Sequence, residues 1–294
     1  GGGDRYPGAG IMNSTSLALV KMGLEEDLRD VGDLTSLHFV EAAHESKGLI
    51  VSREEAVISG LEVAEKVCRE VDDEIRFVEI VADGDAVQPG DVVCELIGKT
   101  RSILTVERTA LNFLQRLSGV ATISRTYVEA IAGTGVVLLD TRKTTPGWRA
   151  LEKAAVAHGG ATNHRTGLYD AVMVKDNHLA ANLTPLNLAE RVAELRHEKP
   201  DLKIQVEADR LDQVEAFLSV DGIEAILLDN MSDEELIRAV AMRDEANVPT
   251  KLEASGGVNL ETIRGIAETG VDFISVGALT HSVRSIDLGL DLPS

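Results

Sequence analysis

From about residue 136 the chain repeats one pattern: a short apolar, β-rich run that stops abruptly in polar or small residues, then an amphipathic stretch. The runs are Val136–Leu139, Ala171–Val174, Lys203–Val206, Ala225–Leu228, Thr250–Leu252 and Phe273–Val276. Continuous apolar runs of this length predict strands buried on both faces. Between them, Leu186–Glu198, Leu211–Leu218, Asp233–Ala246 and Leu260–Thr269 carry helical spacing, with Ser232 or Asp233 and Asn259 as candidate N-caps. Strand and helix in alternation predict a parallel α/β architecture. Six repeats fit either a barrel short of eight strands or an open doubly wound sheet. Because polar residues end every run rather than one switch point, the barrel is the better reading.

The first third has another rhythm. Short runs at Leu49–Ser52, Ala56–Ser59, Arg76–Val81, Asp91–Ile97 and Ser102–Val106 predict strands, separated by turn signals such as Asp83-Gly84 and Gln88-Pro89-Gly90-Asp91. A helix is predicted at Leu61–Val71, and the sheet around it should be largely antiparallel. From Glu107 to Ile131, Leu111, Leu114, Leu117 and Val120 mark a helix that should join the two domains. Residues 1–11 read as a flexible arm or a non-native extension.

The chain has 294 residues, 44% hydrophobic and 27% charged, enough for a large folded core. No apolar run approaches the roughly 18–20 residues of a membrane span, and no secretory pattern opens the chain. Cys68 and Cys94 are isolated, which predicts inert packed thiols and a reduced, cytoplasmic setting. The net charge of −20 repels a nucleic-acid duplex or an anionic membrane.

Positive charge is nevertheless gathered in one place. Between Asp140 and His178 stand Arg142, Lys143, Arg149, Lys153, Arg165 and Lys175 against four acids, while the whole chain has 29 bases and 49 acids. His158, His164 and His178 fall in the same window. A local cationic zone in an acidic protein suits an anionic small molecule. Salt bridges on the surface are the bland alternative.

On a barrel, the run ends would share one cavity: Arg142 and Lys143, Lys175, Glu207, Asp229, Ser255-Gly256-Gly257 and Gly277. Two carboxylates on neighbouring strands can hold magnesium, whose other oxygens come from water and phosphate. Ser-Gly-Gly, alone usually a plain turn, offers unshielded N–H groups that a following helix could reinforce for a phosphate. Three functions would use such a hollow. One is magnesium-dependent phosphoribosyl transfer. Another is an aldolase or isomerase with Lys175 or Lys143 as Schiff-base nucleophile. The third is a barrel that senses phosphate without turnover.

The block DTRKTTPGWRALEKAAVAHGGATNHRTGLYDAVMVKDNH (140–178) resembles the core signature of the quinolinate phosphoribosyltransferases. So do LEEDLRDVGDLTS (24–36), ERTALNFLQRLSGVAT (107–122), LLDN (227–230), EASGGV (253–258) and ISVGALTHS (274–282). The resemblance implies an N-terminal α/β sandwich (12–118), an incomplete C-terminal α/β-barrel (119–282) and a last segment, 283–294, packing back on the sandwich. It implies a magnesium-dependent enzyme that joins quinolinate to phosphoribosyl pyrophosphate with loss of carbon dioxide, and that works as a homodimer or larger assembly. By motif, Arg142, His164 and Arg165 would hold the quinolinate carboxylates, with Thr141 beside them. Arg108 would reach the neighbouring subunit's site. Lys143 and Lys175 would lie between the substrates, and Glu207 and Asp229 would serve the ribose and the magnesium-pyrophosphate. Ser255, Gly256, Gly257 and Gly277 would take the 5′-phosphate.

Overall fold

The computed structural model describes residues 12–175, 178 and 185–293; the expected arm at 1–11 lies outside them. The chain divides into two compact units that interleave along the sequence. The first takes residues up to Arg125, Lys143–Gly160 and Leu279–Ser294; the second takes Thr126–Arg142 and Ala161–Ala278. The expected division placed its boundary at 118/119, with 283–294 packing back on the first domain.

The first unit is an α/β sandwich. Strands β1 (Glu45–Ser52), β3 (Arg76–Glu79), β5 (Val92–Lys99) and β12 (Leu288–Asp291) form an antiparallel sheet in the order β12-β1-β5-β3. Strands β2 (Ala56–Val57) and β4 (Ala86–Val87) pair separately. Helix α1 (Ser14–Leu28) packs against α3 (Leu61–Val71), which buries Leu61, Val63, Ala64, Val67 and Cys68; the short helix α2 is Leu34–Phe39. Cys68 and Cys94 are both fully buried, and burial pushes the Cys68 thiol up to about 12 and raises that of Cys94, so neither is a ready nucleophile.

One expectation fails here. Ser102–Val106 is not a strand; it lies in helix α4 (Thr100–Ala130). Ile103, Val106, Ala110, Leu114 and Leu117 are buried at helical spacing, so burial of one continuous stripe outweighs the local β-preference of a short run. Helix α5 (Arg149–His158) also belongs to this unit, as does the stacked pair Phe113 and Trp148, whose rings lie 4.9 Å apart.

In the second unit the described residues form a six-stranded sheet in the order β6-β11-β10-β9-β8-β7, parallel throughout. The strands are β6 (Val137–Leu139), β7 (Ala171–Val174), β8 (Lys203–Ala208), β9 (Ala225–Asp229), β10 (Lys251–Ser255) and β11 (Phe273–Ser275). The first strand neighbours the last, which is how a barrel curls; a doubly wound sheet would place its first strand centrally. The gap of this incomplete barrel lies between β6 and β7. There, Thr162 makes a single parallel bridge to Leu139, its N–H donating to Leu138 O at 2.9 Å.

Helices Pro185–Glu198, Leu211–Leu218, Asp233–Ala246 and Ile263–Glu268 connect the successive strands from β7 to β11. Ser232 caps the third of them in a capping box with Glu235. Asn259 instead caps a turn: its Oδ1 accepts from the N–H groups of Glu261 and Thr262, and the helix proper starts at Ile263.

Candidate active site

Strand register decides which side chains share the barrel interior. Residues paired across a sheet point to the same face. Glu207 and Glu253 both pair with Leu227, while Asp229 pairs with Ser255 and Met173 with Gln205. All of these therefore face one side. The other face carries Ile204, Val206, Ile226, Leu228, Leu252, Ala254 and Ile274, all buried. Because the strands are parallel, Glu207, Asp229 and Ser255 also stand at the same end as Asp140-Thr141-Arg142 after β6, Lys175 after β7 and Gly277 after β11.

At that end a cavity of about 390 Å³ is lined by Arg142, Arg165, Leu168, Ala171, Val172, Met173, Lys175 and His178. Among the described residues that line it, none is a carboxylate. The hollow beside α1 and α3, by contrast, sets Glu62 and Glu65 against Lys66 and Arg69. Burial and then the nearby charge of Arg142 lower the proton affinity of the Arg165 guanidinium, with Asp170 opposing. Two arginines at one hollow, Arg165 of them buried, form a site that an anion relieves.

The segment spanning the barrel gap is tied down from several directions. Asp140, fully buried, accepts from His164 N and Asn163 Nδ2, both at 2.7 Å. The Nδ1 of His164 accepts from Arg165 N–H at 2.7 Å, which leaves Nε2 as the protonated nitrogen facing Glu253 Oε2 at 3.2 Å. Arg165 Nη1 then donates to Ala171 O, the first residue of β7, at 3.1 Å. On the cavity wall, Lys175 N–H donates to His178 Nδ1 at 3.0 Å and His178 N–H returns to Lys175 O.

At the opposite side of the mouth, Ser255 leads into Gly256 and Gly257, both in the left-handed region at φ +90° and +64°. Asn230, also left-handed at φ 53°, donates its N–H to Ser255 O and its Nδ2 to Asp229 Oδ2. The helix expected to reinforce this turn begins only at Ile263, so the backbone N–H groups act with less help from a helix dipole than the sequence suggested.

Of the residues singled out in the sequence, Arg142, Arg165 and Lys175 come together at the cavity, and Glu207, Asp229, Ser255, Gly256, Gly257 and Gly277 lie at the same strand ends. His164 is next to the cavity in sequence but turns its ring to Glu253. Arg108, exposed on α4, and Lys143, exposed after Arg142, fall in the first unit. Asp140, Asn163, Asn230 and Glu253 escaped sequence reasoning. A polar residue in or just after each apolar run was the available signal, but nothing local separates a buried clamp from an ordinary strand end.

Such a fold and such a hollow define an α/β-barrel protein with a site for polyanions. Residues 33–118 match the model of the quinolinate phosphoribosyl transferase N-terminal domain, and residues 120–291 that of the C-terminal domain. Nicotinate-nucleotide pyrophosphorylase (carboxylating) of Mycobacterium leprae is 42% identical over 275 residues, covering 93% of this chain and 95% of its own. Quinolinate phosphoribosyltransferase (decarboxylating) 1 of Nicotiana glauca is 37% identical over 290 residues, covering 93% and 81%. The solved nicotinate-nucleotide pyrophosphorylase of Francisella tularensis superposes with a TM-score of 0.91 at 35% identity, covering 99% of this chain and all of that one. The chain belongs to the quinolinate phosphoribosyl transferase family, and the aldolase and sensor readings fall away.

Proposed function

We infer that this enzyme transfers the phosphoribosyl group of phosphoribosyl pyrophosphate to quinolinate, giving nicotinate mononucleotide, pyrophosphate and carbon dioxide for NAD synthesis. The observation that carries the site assignment is the cavity that gathers Arg142, Arg165 and Lys175. Planar guanidinium groups suit the two carboxylates of quinolinate better than the single one of nicotinate.

The chemistry asks little of a protein nucleophile. The pyridine nitrogen bonds to the anomeric carbon as its bond to pyrophosphate breaks, and the leaving group takes the electron pair. Positive charge builds on the ribose, negative charge on pyrophosphate. Glu207 and Asp229 favour the first; Lys143 and Lys175 stabilise the second. Ser255, Gly256, Gly257 and Gly277 hold the 5′-phosphate, and Thr141 and His164 complete the acceptor side. With the ring nitrogen quaternary, the carboxylate at C2 leaves as carbon dioxide, its bonding pair stays on C2, and C2 gains a proton. Desolvation of that carboxylate in the cavity favours the loss.

Glu207 and Asp229 offer hard oxygens on adjacent strands at a partly open mouth, which fits magnesium bound through water and substrate phosphate. Among the described residues no three His, Cys, Asp or Glu side chains group as a metal cage, so substrate oxygens would have to complete the shell. When bound, magnesium neutralises charge on the pyrophosphate. The reading extends to a homodimer in which each Arg108 serves the other subunit's site, and to a reduced cytoplasmic setting for the isolated cysteines. No helix among the described residues is long and apolar enough to cross a membrane. Incubation with quinolinate, phosphoribosyl pyrophosphate and magnesium should yield the mononucleotide, and chelation should stop it. A protein that accepts nicotinate and ignores quinolinate would refute the assignment.

A further inference from the structure

Lys143 opens a stretch that has little packing to fix it: Lys143, Thr145, Pro146 and Gly147 are all exposed, and helix α5 begins only at Arg149. Polar contacts hold it instead. Thr280, fully buried in the short helix Ala278–His281, donates its Oγ1 to Lys143 O at 2.7 Å. Glu152, fully buried on α5, accepts from Thr145 N–H at 3.0 Å and from Thr145 Oγ1 at 2.8 Å. Arg149 Nε donates to Thr144 Oγ1 at 2.9 Å. The two buried holders are joined through Arg116 on α4, whose Nη2 donates to Glu152 Oε1 at 3.3 Å and to Thr280 O at 3.0 Å.

A buried ion pair adds little stability that apolar residues of similar size would not. Its bonds are directional, however, and Glu152 aims both carboxylate oxygens at one residue of an exposed loop. We propose that Thr280 and Glu152 are positioning residues for the reaction: linked by Arg116, they set the backbone from which the Lys143 ammonium reaches the departing pyrophosphate. This rests on the placement of Lys143 between the two substrates. A charge that stabilises a transition state must be held in place beforehand, and a misplacement of about 1 Å can cost about a hundredfold in rate. Arg142, the preceding residue, follows β6, whose end is tied separately: Asp140 accepts from Asn163 and His164. Loss of the clamp should therefore reach the leaving-group side and spare the acceptor.

Kinetics of the full-length enzyme test this, with the wild type measured first; a chain that ignores quinolinate sinks the functional assignment itself. Thr280→Val keeps the shape and loses the bond. Its kcat should fall about three- to tenfold, the worth of one hydrogen bond, while the dissociation constant for quinolinate stays within about twofold. Thr280→Ser should bring kcat back to within about twofold of the wild type. Glu152→Gln, which turns an amide N–H toward Thr145 or Arg116, should lower kcat about tenfold or more. The deciding background is Lys143→Ala. With that side chain gone, adding Thr280→Val should cost less than about twofold further, because the clamp acts only through Lys143. A merely structural role would lower kcat alike in both backgrounds. Full multiplication in the double variant, an unchanged kcat in Thr280→Val, a loss of quinolinate affinity as large as the loss of kcat, or a fully active Lys143→Ala would overturn the proposal. If Glu152→Gln does not fold, the Thr280 variants decide alone.

Discussion

A Cβ added to Gly256 would lie 2.4 Å from Asn230 Oδ1, so the two residues lock the ends of β9 and β10 by sharing space that no other residue at 256 leaves open. Gly256 is also left-handed, where a side chain adds strain of about 1–3 kcal/mol. Gly256→Ala must therefore displace Asn230, which donates to Asp229 at the proposed pyrophosphate side. The affinity for phosphoribosyl pyrophosphate should drop by about tenfold or more, with quinolinate affinity nearly unchanged. Separate dissociation constants for the two substrates check this; a matching loss of quinolinate would show a general collapse of the mouth.

Arg142 and Arg165 offer the opposite selectivity. Their mutual repulsion at the cavity is a standing cost that a bound dianion removes, so each should matter chiefly for the acceptor. Arg142→Ala and Arg165→Ala should weaken quinolinate by about 10–100-fold, the range for a lost hydrogen bond to a charged group, and phosphoribosyl pyrophosphate by far less. Arg165→Lys should recover little, because an ammonium cannot both reach Ala171 O and present a planar fork. Equal losses for the two substrates would contradict this division of labour.

Glu54 predicts an acid limb of stability. Its carboxylate accepts from Arg284 and from the Asp287 N–H, and these two bonds hold it at about 2 against an ordinary 4.5, with burial opposing. A depressed carboxyl stabilises the fold above its unfolded value and loses that contribution as the pH falls through the folded one. Solvent screens this partly exposed pair, so about 1 kcal/mol is the expected scale. Glu54→Gln should thus be less stable by that amount near neutral pH, and the difference should shrink between about pH 4.5 and 2. A gap that stays constant over this range, measured by urea unfolding, would rule the mechanism out.

How much was visible beforehand follows from distance along the chain. The barrel strands were legible because burial on both faces leaves a continuous apolar run, and the charged ends followed from the strand-to-loop switch. Ser102–Val106 misled because a five-residue run with Ile103, Thr105 and Val106 carries no sign that a 31-residue helix will claim it. The clamp on His164 was invisible for another reason. His164 and Glu253 are 89 residues apart, and their meeting depends on β6 closing beside β11 and on Thr162 bridging to Leu139. EASGGV drew attention to its serine and glycines; its glutamate, just past the Thr250–Leu252 run, was given no role.

Gly119 lies inside α4, where a glycine ordinarily costs about 1 kcal/mol against alanine. Propensity alone would make Gly119→Ala stabilising. A Cβ there, however, would lie 2.2 Å from Arg284 O and 2.9 Å from a Val283 methyl, because the C-terminal segment crosses the helix in direct backbone contact. That crossing is held by Arg116, which donates to Val283 O and Thr280 O, and by Ile286 N–H donating to Gln115 O. Backbone on both sides leaves no flexible tip to swing away, so overpacking of about 1–3 kcal/mol should outweigh the helical gain. Gly119→Ala should lower the urea midpoint and release the segment leading to β12, seen as faster amide exchange over 283–291. A midpoint equal to or above the wild type would mean the helix and the segment can part without cost.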